Sequence, residues 1–229
     1  SSALVGPNVV NKALPYVGGG MALTAAGVVG GMATMASVGF SAFNGLSLVA
    51  IIPWFILFFV AQNAASKGNN GTALPLMAAF SLLTGFTLTG LVVQAIAVAG
   101  VASIGIAALA TGLTFVIASV VGRRMSDSVG QALSAAVGLG LMGLIIAMLG
   151  IFVAGFFVPG IYAATNLLIA GLGTVVFVGM AFVDFYTMPR TYRDDQYLAG
   201  ALGMYLTYIN LFIFILRLVI ALQGGGRRD

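Results

Sequence analysis

The segment YLAGALGMYLTYINLFIFILRLVIAL, residues Tyr197–Leu222, runs for 26 residues with a single charged side chain, Arg217. About 20 apolar residues are enough to cross a hydrocarbon core of about 30 Å, so this stretch predicts a transmembrane helix. Working back from it, six more stretches of the same kind appear: about Pro15–Val38, Leu46–Ala64, Leu74–Gln94, Ser103–Val121, Val129–Val153 and Ile161–Tyr186. Four of the breaks between them are plain. SKGNNG at Ser66–Gly71, GRRMSDS at Gly122–Ser128 and TMPRTYRDDQ at Thr187–Gln196 are polar, and GFFVPG at Gly155–Gly160 is an apolar turn marked by Gly and Pro.

Composition requires the same solvent. The chain has 229 residues, of which only 14 are charged, and its hydrophobic fraction is 61%. Its mean hydropathy is +1.14. A water-soluble domain carries roughly a quarter charged residues, so this composition cannot cover a core with a polar surface. The expected fold is all-α, a polytopic membrane protein with a seven-transmembrane-helix bundle. Residues 1–14 are expected to form an N-terminal tail, 15–222 a single transmembrane domain and 223–229 a basic C-terminal tail. The first residue is Ser, as removal of Met or cleavage of a targeting peptide would leave it, and no retained signal-peptide pattern is visible.

Missing residue types narrow the chemistry. The chain has no Cys, no His and no Glu. Thiolate nucleophiles, Cys-ligated clusters, a Ser-His triad and a His-based zinc site are excluded. No cofactor or metal site is expected. Intramembrane proteases need paired aspartates, Ser-His or metal ligands, so the chain is read as a non-enzyme. The net charge of +4 is topological information and not a nucleic-acid footprint.

With seven spans, one face holds the N-terminal tail and the loops after spans two, four and six. That face carries six basic residues: Lys12, Lys67, Arg123, Arg124, Arg190 and Arg193. The opposite face carries two, Arg227 and Arg228. The asymmetry predicts the N-terminus on the inside. A prokaryotic plasma or inner membrane and a mitochondrial inner membrane both suit that topology. The first span is rich in small residues. Gly27 with Gly31, Gly18 with Ala22 and Gly20 with Thr24 have the four-residue spacing that lets helix backbones approach in lipid, and together they predict one close helix–helix contact.

Asp184 is the sole acid inside an expected span. A carboxylate at mid-membrane costs about 2.5–3.5 kcal/mol on insertion scales and marks ion or proton paths. The plainer alternative is that Asp184 reaches water at its helix end or pairs with Arg190 or Arg193. Arg217 lies towards the end of the last span, where it can snorkel to the interface or pair internally. Gln62, Thr84, Thr87, Thr89, Gln94, Asn166, Tyr205, Thr207, Tyr208 and Asn210 are neutral polar residues inside spans. Interhelical hydrogen bonds of this kind contribute about 0.6 kcal/mol on average. They are densest at Tyr205, Thr207, Tyr208 and Asn210. Asp194 and Asp195, set among Arg190 and Arg193, read as a solvated loop.

Two stretches, VDFYTMPR at Val183–Arg190 and LAGALGMYLTYINLFIFILRLV at Leu198–Val219, resemble the Bax-inhibitor family of membrane proteins. The family's seventh helix reads close to AL-x-LYLD-(F/I)INLF-x-x-LLRLL, and Ala201, Leu202, Tyr205, Leu206, Ile209, Asn210, Leu211, Phe212, Leu216 and Arg217 fit that frame. LLTGFTLTG at Leu82–Gly90 is similar to the family's third span. SVVGRRMSDSVGQALSAAVGLGLMGLIIAMLGIF at Ser119–Phe152 is similar to its fourth-to-fifth-span hairpin. The resemblance implies the family's seven-span fold, a pH-sensitive calcium leak, and a role in cell death or membrane-protein quality. It also implies a gate of two hydrogen-bonded aspartates, one on the sixth helix and one on the seventh.

Asp184 matches the sixth-helix aspartate. The seventh-helix position is Thr207, which cannot ionise but can donate a hydrogen bond. A basic residue frequent in the family's second span has no counterpart between Leu46 and Ala64. Two functions are therefore expected in competition. One is a cation leak, calcium or proton-linked, with Asp184 as central polar group, Thr207 and Asn210 beside it and Arg217 nearby. The other is a degenerate family member serving as a structural or accessory subunit among other membrane subunits. Expected partners are the lipid bilayer, such subunits and the calcium ion, and no nucleic acid.

Overall fold

A computed structural model describes residues 3–225, and Arg227 and Arg228 lie outside the described residues. These residues form seven long helices: α1 (Val9–Val38), α2 (Phe40–Ser66), α3 (Asn70–Ala99), α4 (Ala102–Val121), α5 (Asp127–Ala154), α6 (Ile161–Thr191) and α7 (Tyr197–Gly225). Short 3-10 turns precede α5, at Gly122–Arg124, and α7, at Asp194–Gln196. No strand occurs among the described residues. All seven helices are long and apolar enough to cross a membrane. Their outward faces carry large apolar side chains in the open, such as Phe59 at 63%, Leu109 at 77% and Ile146 at 64% exposure. The environment that accommodates such a surface is a lipid bilayer.

The helices are longer than the apolar stretches at several ends. α1 begins at Val9, with Pro15 inside it, and α6 continues through Pro189 to Thr191. In both places the proline sits near a helix end. It removes one backbone donor there without stopping the helix, so polar residues extend the helix past the apolar run.

The tertiary contacts divide the described residues into two units, residues 3–94 with 188–205, and residues 95–187 with 206–225. The helices α6 and α7 each contribute a segment to both. In the first unit, α1 buries Val9 at its start and then Val10, Ala13, Val17, Gly20, Thr24, Gly27 and Gly31, which from Val10 onward alternate three- and four-residue steps and draw a single stripe along the helix. Gly27 faces the Leu82 carbonyl and Gly85 of α3, and Gly85 faces the Thr24 carbonyl of α1. Neither site has room for a Cβ. The close contact expected from Gly27 and Gly31 is therefore the α1–α3 seam. Gly18 and Ala22 do not belong to it: both are exposed. Two residues from Gly20 is about 200° around a helix, which turns Gly18 away from the seam.

In the second unit, α5 buries Gly130, Val137 and Leu144, one residue every two turns. Its neighbour is α6: Gly130 lies against the Tyr186 ring, Val137 against Gly179 and Gly140 against Val176. α4 buries Ser103, Ala107, Thr111, Phe115 and Ala118, and Gly122 just beyond it meets the Phe182 carbonyl of α6. The stacked rings of Phe177 and Phe214, 5.6 Å apart, join α6 to the C-terminal part of α7.

Candidate functional site

Asp184 lies on α6 in the second unit, seven residues before Thr191, or about 10 Å of helix. Because α6 runs past the apolar stretch, Asp184 is two turns inside the helix and not at its end. The Thr207 hydroxyl of α7 donates to its carboxylate. The other oxygen, Oδ2, is buried and has no hydrogen-bond partner. Buried polar atoms are nearly always partnered, and among the described residues this oxygen is an exception together with Gln62 Oε1 and Asn70 Oδ1. Arg193 is paired elsewhere: its Nε lies 3.1 Å from Asp195 Oδ1, with both side chains about 60% exposed.

Around the pair, Phe115 of α4 sets its ring 6.1 Å from Phe185 and 5.1 Å from Tyr208. The Tyr208 hydroxyl points at the Ala108 carbonyl at 3.5 Å. Two helices thus present the polar pair, and α4 supplies an aromatic neighbour to the residues that follow each member. Asn210 is not drawn in by a hydrogen bond: its side-chain amide donates to the Leu206 carbonyl of its own helix at 2.8 Å. Arg217 stands ten residues beyond Thr207, about 15 Å along the helix, and belongs to different surroundings.

The four polar residues that looked like one cluster on α7 are split between the units. Tyr205, fully buried, faces the first unit. Its hydroxyl bonds the Thr24 hydroxyl, with the Ser81 and Thr84 side chains also in reach. Thr84 in turn accepts from Trp54 Nε1 at 2.8 Å. This cluster of neutral hydroxyls joins α1, α2, α3 and α7 within one unit. Sequence reading named Thr84 singly and grouped Tyr205 with neighbours on its own helix, and the Gly20/Thr24 spacing was the sole hint of the partner.

The loop charges make a polar clamp in the first unit. Asp194 accepts from the Asn8 backbone amide at 2.9 Å and from its side chain at 3.3 Å. Asn70 donates to the Asp195 carbonyl at 3.1 Å, and Gln196 donates to the Ser66 carbonyl at 2.7 Å. The Gly6 amide donates to the Pro189 carbonyl at 2.9 Å. Arg190 lies in the last turn of α6. The loop expected to be solvated is thus bound on one side to the N-terminal segment and to the α2–α3 turn. Those partners stand far off in sequence, 186 residues apart for Asn8 and Asp194, so no local signal pointed to them. No group of three or more metal-ligating side chains occurs among the described residues.

A conserved-family model described as inhibitor of apoptosis-promoting Bax1 matches residues 6–224. The chain belongs to the Bax-inhibitor family. Among curated relatives of this Bax-inhibitor-family chain, an uncharacterised protein of Lactococcus lactis is 29% identical over 192 residues, covering 79% of this chain and 76% of the relative. An uncharacterised membrane protein of Streptococcus pyogenes is 30% identical over 191 residues, covering 79% and 74%. Bax inhibitor 1 of Schizosaccharomyces pombe is 37% identical over a shorter stretch of 70 residues, 31% of this chain and 26% of that protein. The resemblance read from the sixth and seventh helices therefore extends to nearly the whole sequence.

Proposed function

We propose that this Bax-inhibitor-family chain is a non-enzymatic cation leak whose central polar group is Asp184. The observation that carries the reading is the buried, unpartnered Oδ2 of Asp184, two turns inside the end of a membrane-spanning helix. A carboxylate held in place by Thr207, with one oxygen free, can replace part of a passing cation's hydration shell. Calcium and protons are the candidate ions. The seventh-helix threonine leaves a single carboxyl, so Asp184 alone supplies the charge. The orientation that fits the basic-residue asymmetry has the N-terminus inside. The bacterial relatives, one of them named a membrane protein, favour a bacterial plasma membrane.

The test is flux of calcium and of protons into liposomes containing the purified chain. The expected result is a leak above protein-free vesicles that falls at least about tenfold in Asp184→Asn, equivalent to about 1.4 kcal/mol in a barrier. Flux unchanged in that variant, with the protein folded and inserted, overturns the reading. A second reading, an accessory subunit of a larger membrane complex, is favoured by the loss of an ionisable group at Thr207. It expects no intrinsic flux and stable co-purification with partner subunits.

A further inference from the structure

Arg217 is the one cation in the apolar part of α7, eight residues before Gly225. Its partners are the Asn166 side-chain oxygen, 3.5 Å from Nη2, and the ring of Phe214, 5.5 Å from the guanidinium carbon. A guanidinium offers five donors in a planar fork shaped for carboxylate or phosphate. One long bond to a neutral amide leaves most of that fork unused. Among the described residues no acid lies on either helix near it: α6 up to Val183 and α7 from Tyr197 carry none.

Asn166 also lines a groove of about 870 Å³ walled by Val98, Ala163, Ala164, Leu167 and Ile220. Ala163, Ala164 and Leu167 are exposed, so the groove is open to the hydrocarbon side. It begins where α6 begins and ends where α7 ends, which sets it near one membrane surface. Its chemistry is therefore an apolar groove with a cation beside one lining residue.

We propose that this groove binds an anionic phospholipid, with the phosphate at Arg217 and Asn166 and an acyl chain along the apolar walls. A charge-assisted, forked contact to phosphate uses the donors that Asn166 leaves idle, and the apolar walls match a lipid tail, not a free phosphate. Zwitterionic lipid satisfies the tail but brings its own ammonium beside the arginine.

The experiment is native mass spectrometry of the delipidated full chain, titrated with phosphatidylglycerol, phosphatidylcholine or glycerol 1-phosphate. Phosphatidylglycerol is expected to bind about tenfold tighter than phosphatidylcholine. Arg217→Gln is expected to erase that preference. Ala164→Phe, which fills the groove and keeps the arginine, is expected to weaken both lipids, and Lys67→Gln, on an exposed turn, to bind as the parent does. Circular dichroism checks the fold of each variant, and if Arg217→Gln fails to fold, Ala164→Phe decides. Equal binding of the two lipids, an unchanged preference in Arg217→Gln, unweakened lipid binding in Ala164→Phe, or full competition by glycerol 1-phosphate overturns the proposal.

Discussion

At Tyr205 a fully buried phenol is made tolerable by neutral partners: Thr24, with Ser81 and Thr84 in reach. Thr24 has other acceptors to turn to, the Gly20 carbonyl at 2.8 Å and the Ser81 carbonyl at 3.1 Å. Tyr205→Phe therefore strands no donor, and its cost is expected to stay near the membrane average of about 0.6 kcal/mol and under about 1.7. Reversible unfolding in mixed detergent measures it, and a loss above about 3 kcal/mol would mean that the hydroxyl supports more than this cluster. Asp184 differs in kind. Its Oδ2 has no partner, so Asp184→Asn changes the charge without breaking a hydrogen bond at that oxygen. Its main effect is expected on flux and not on folding.

Between elements, the seam of α1 and α3 depends on absent side chains. Gly85 lies so close to the Thr24 carbonyl and the Val28 amide that a Cβ meets backbone, which cannot rotate out of the way. Gly85→Val is expected to destabilise the protein by at least about 1–3 kcal/mol, the usual cost of overpacking. Gly18→Val, on an exposed face of α1 with nothing within 4 Å of an added Cβ, is expected to cost little. Melting temperatures in one detergent compare the two, and equal losses would refute the seam. The Gly27/Gly31 spacing made one side of this contact legible in sequence. The other side was not read, although Ser81, Gly85 and Thr89 repeat the four-residue spacing of small residues, because Gly85 sits in a stretch read as a family motif.

For the whole molecule, topology is the property most open to a direct check. The chain has no Cys, so single cysteines can be placed without a background. Cysteine at Lys67 or Arg124 is expected to react with an impermeant maleimide only from the inner side, and cysteine at Val158, in the α5–α6 turn, only from the outer side. Labelling of all three from one side would require a different span count or orientation. The seven spans were determined by sequence alone, because apolar runs of about 20 residues with so few charges have one compatible solvent, and local hydropathy reports it. The family was legible for a similar reason, since Ala201–Arg217 on one helix preserves its register without reference to any partner. Tertiary structure decided what lies across from each residue. Helical rotation of about 100° per residue sends Tyr205 to a hydroxyl cluster and Thr207 to Asp184, though only two positions separate them. It ties Asn8 to Asp194 and puts Arg217 beside Asn166, because side-chain partners are chosen by packing between helices, which no local pattern encodes.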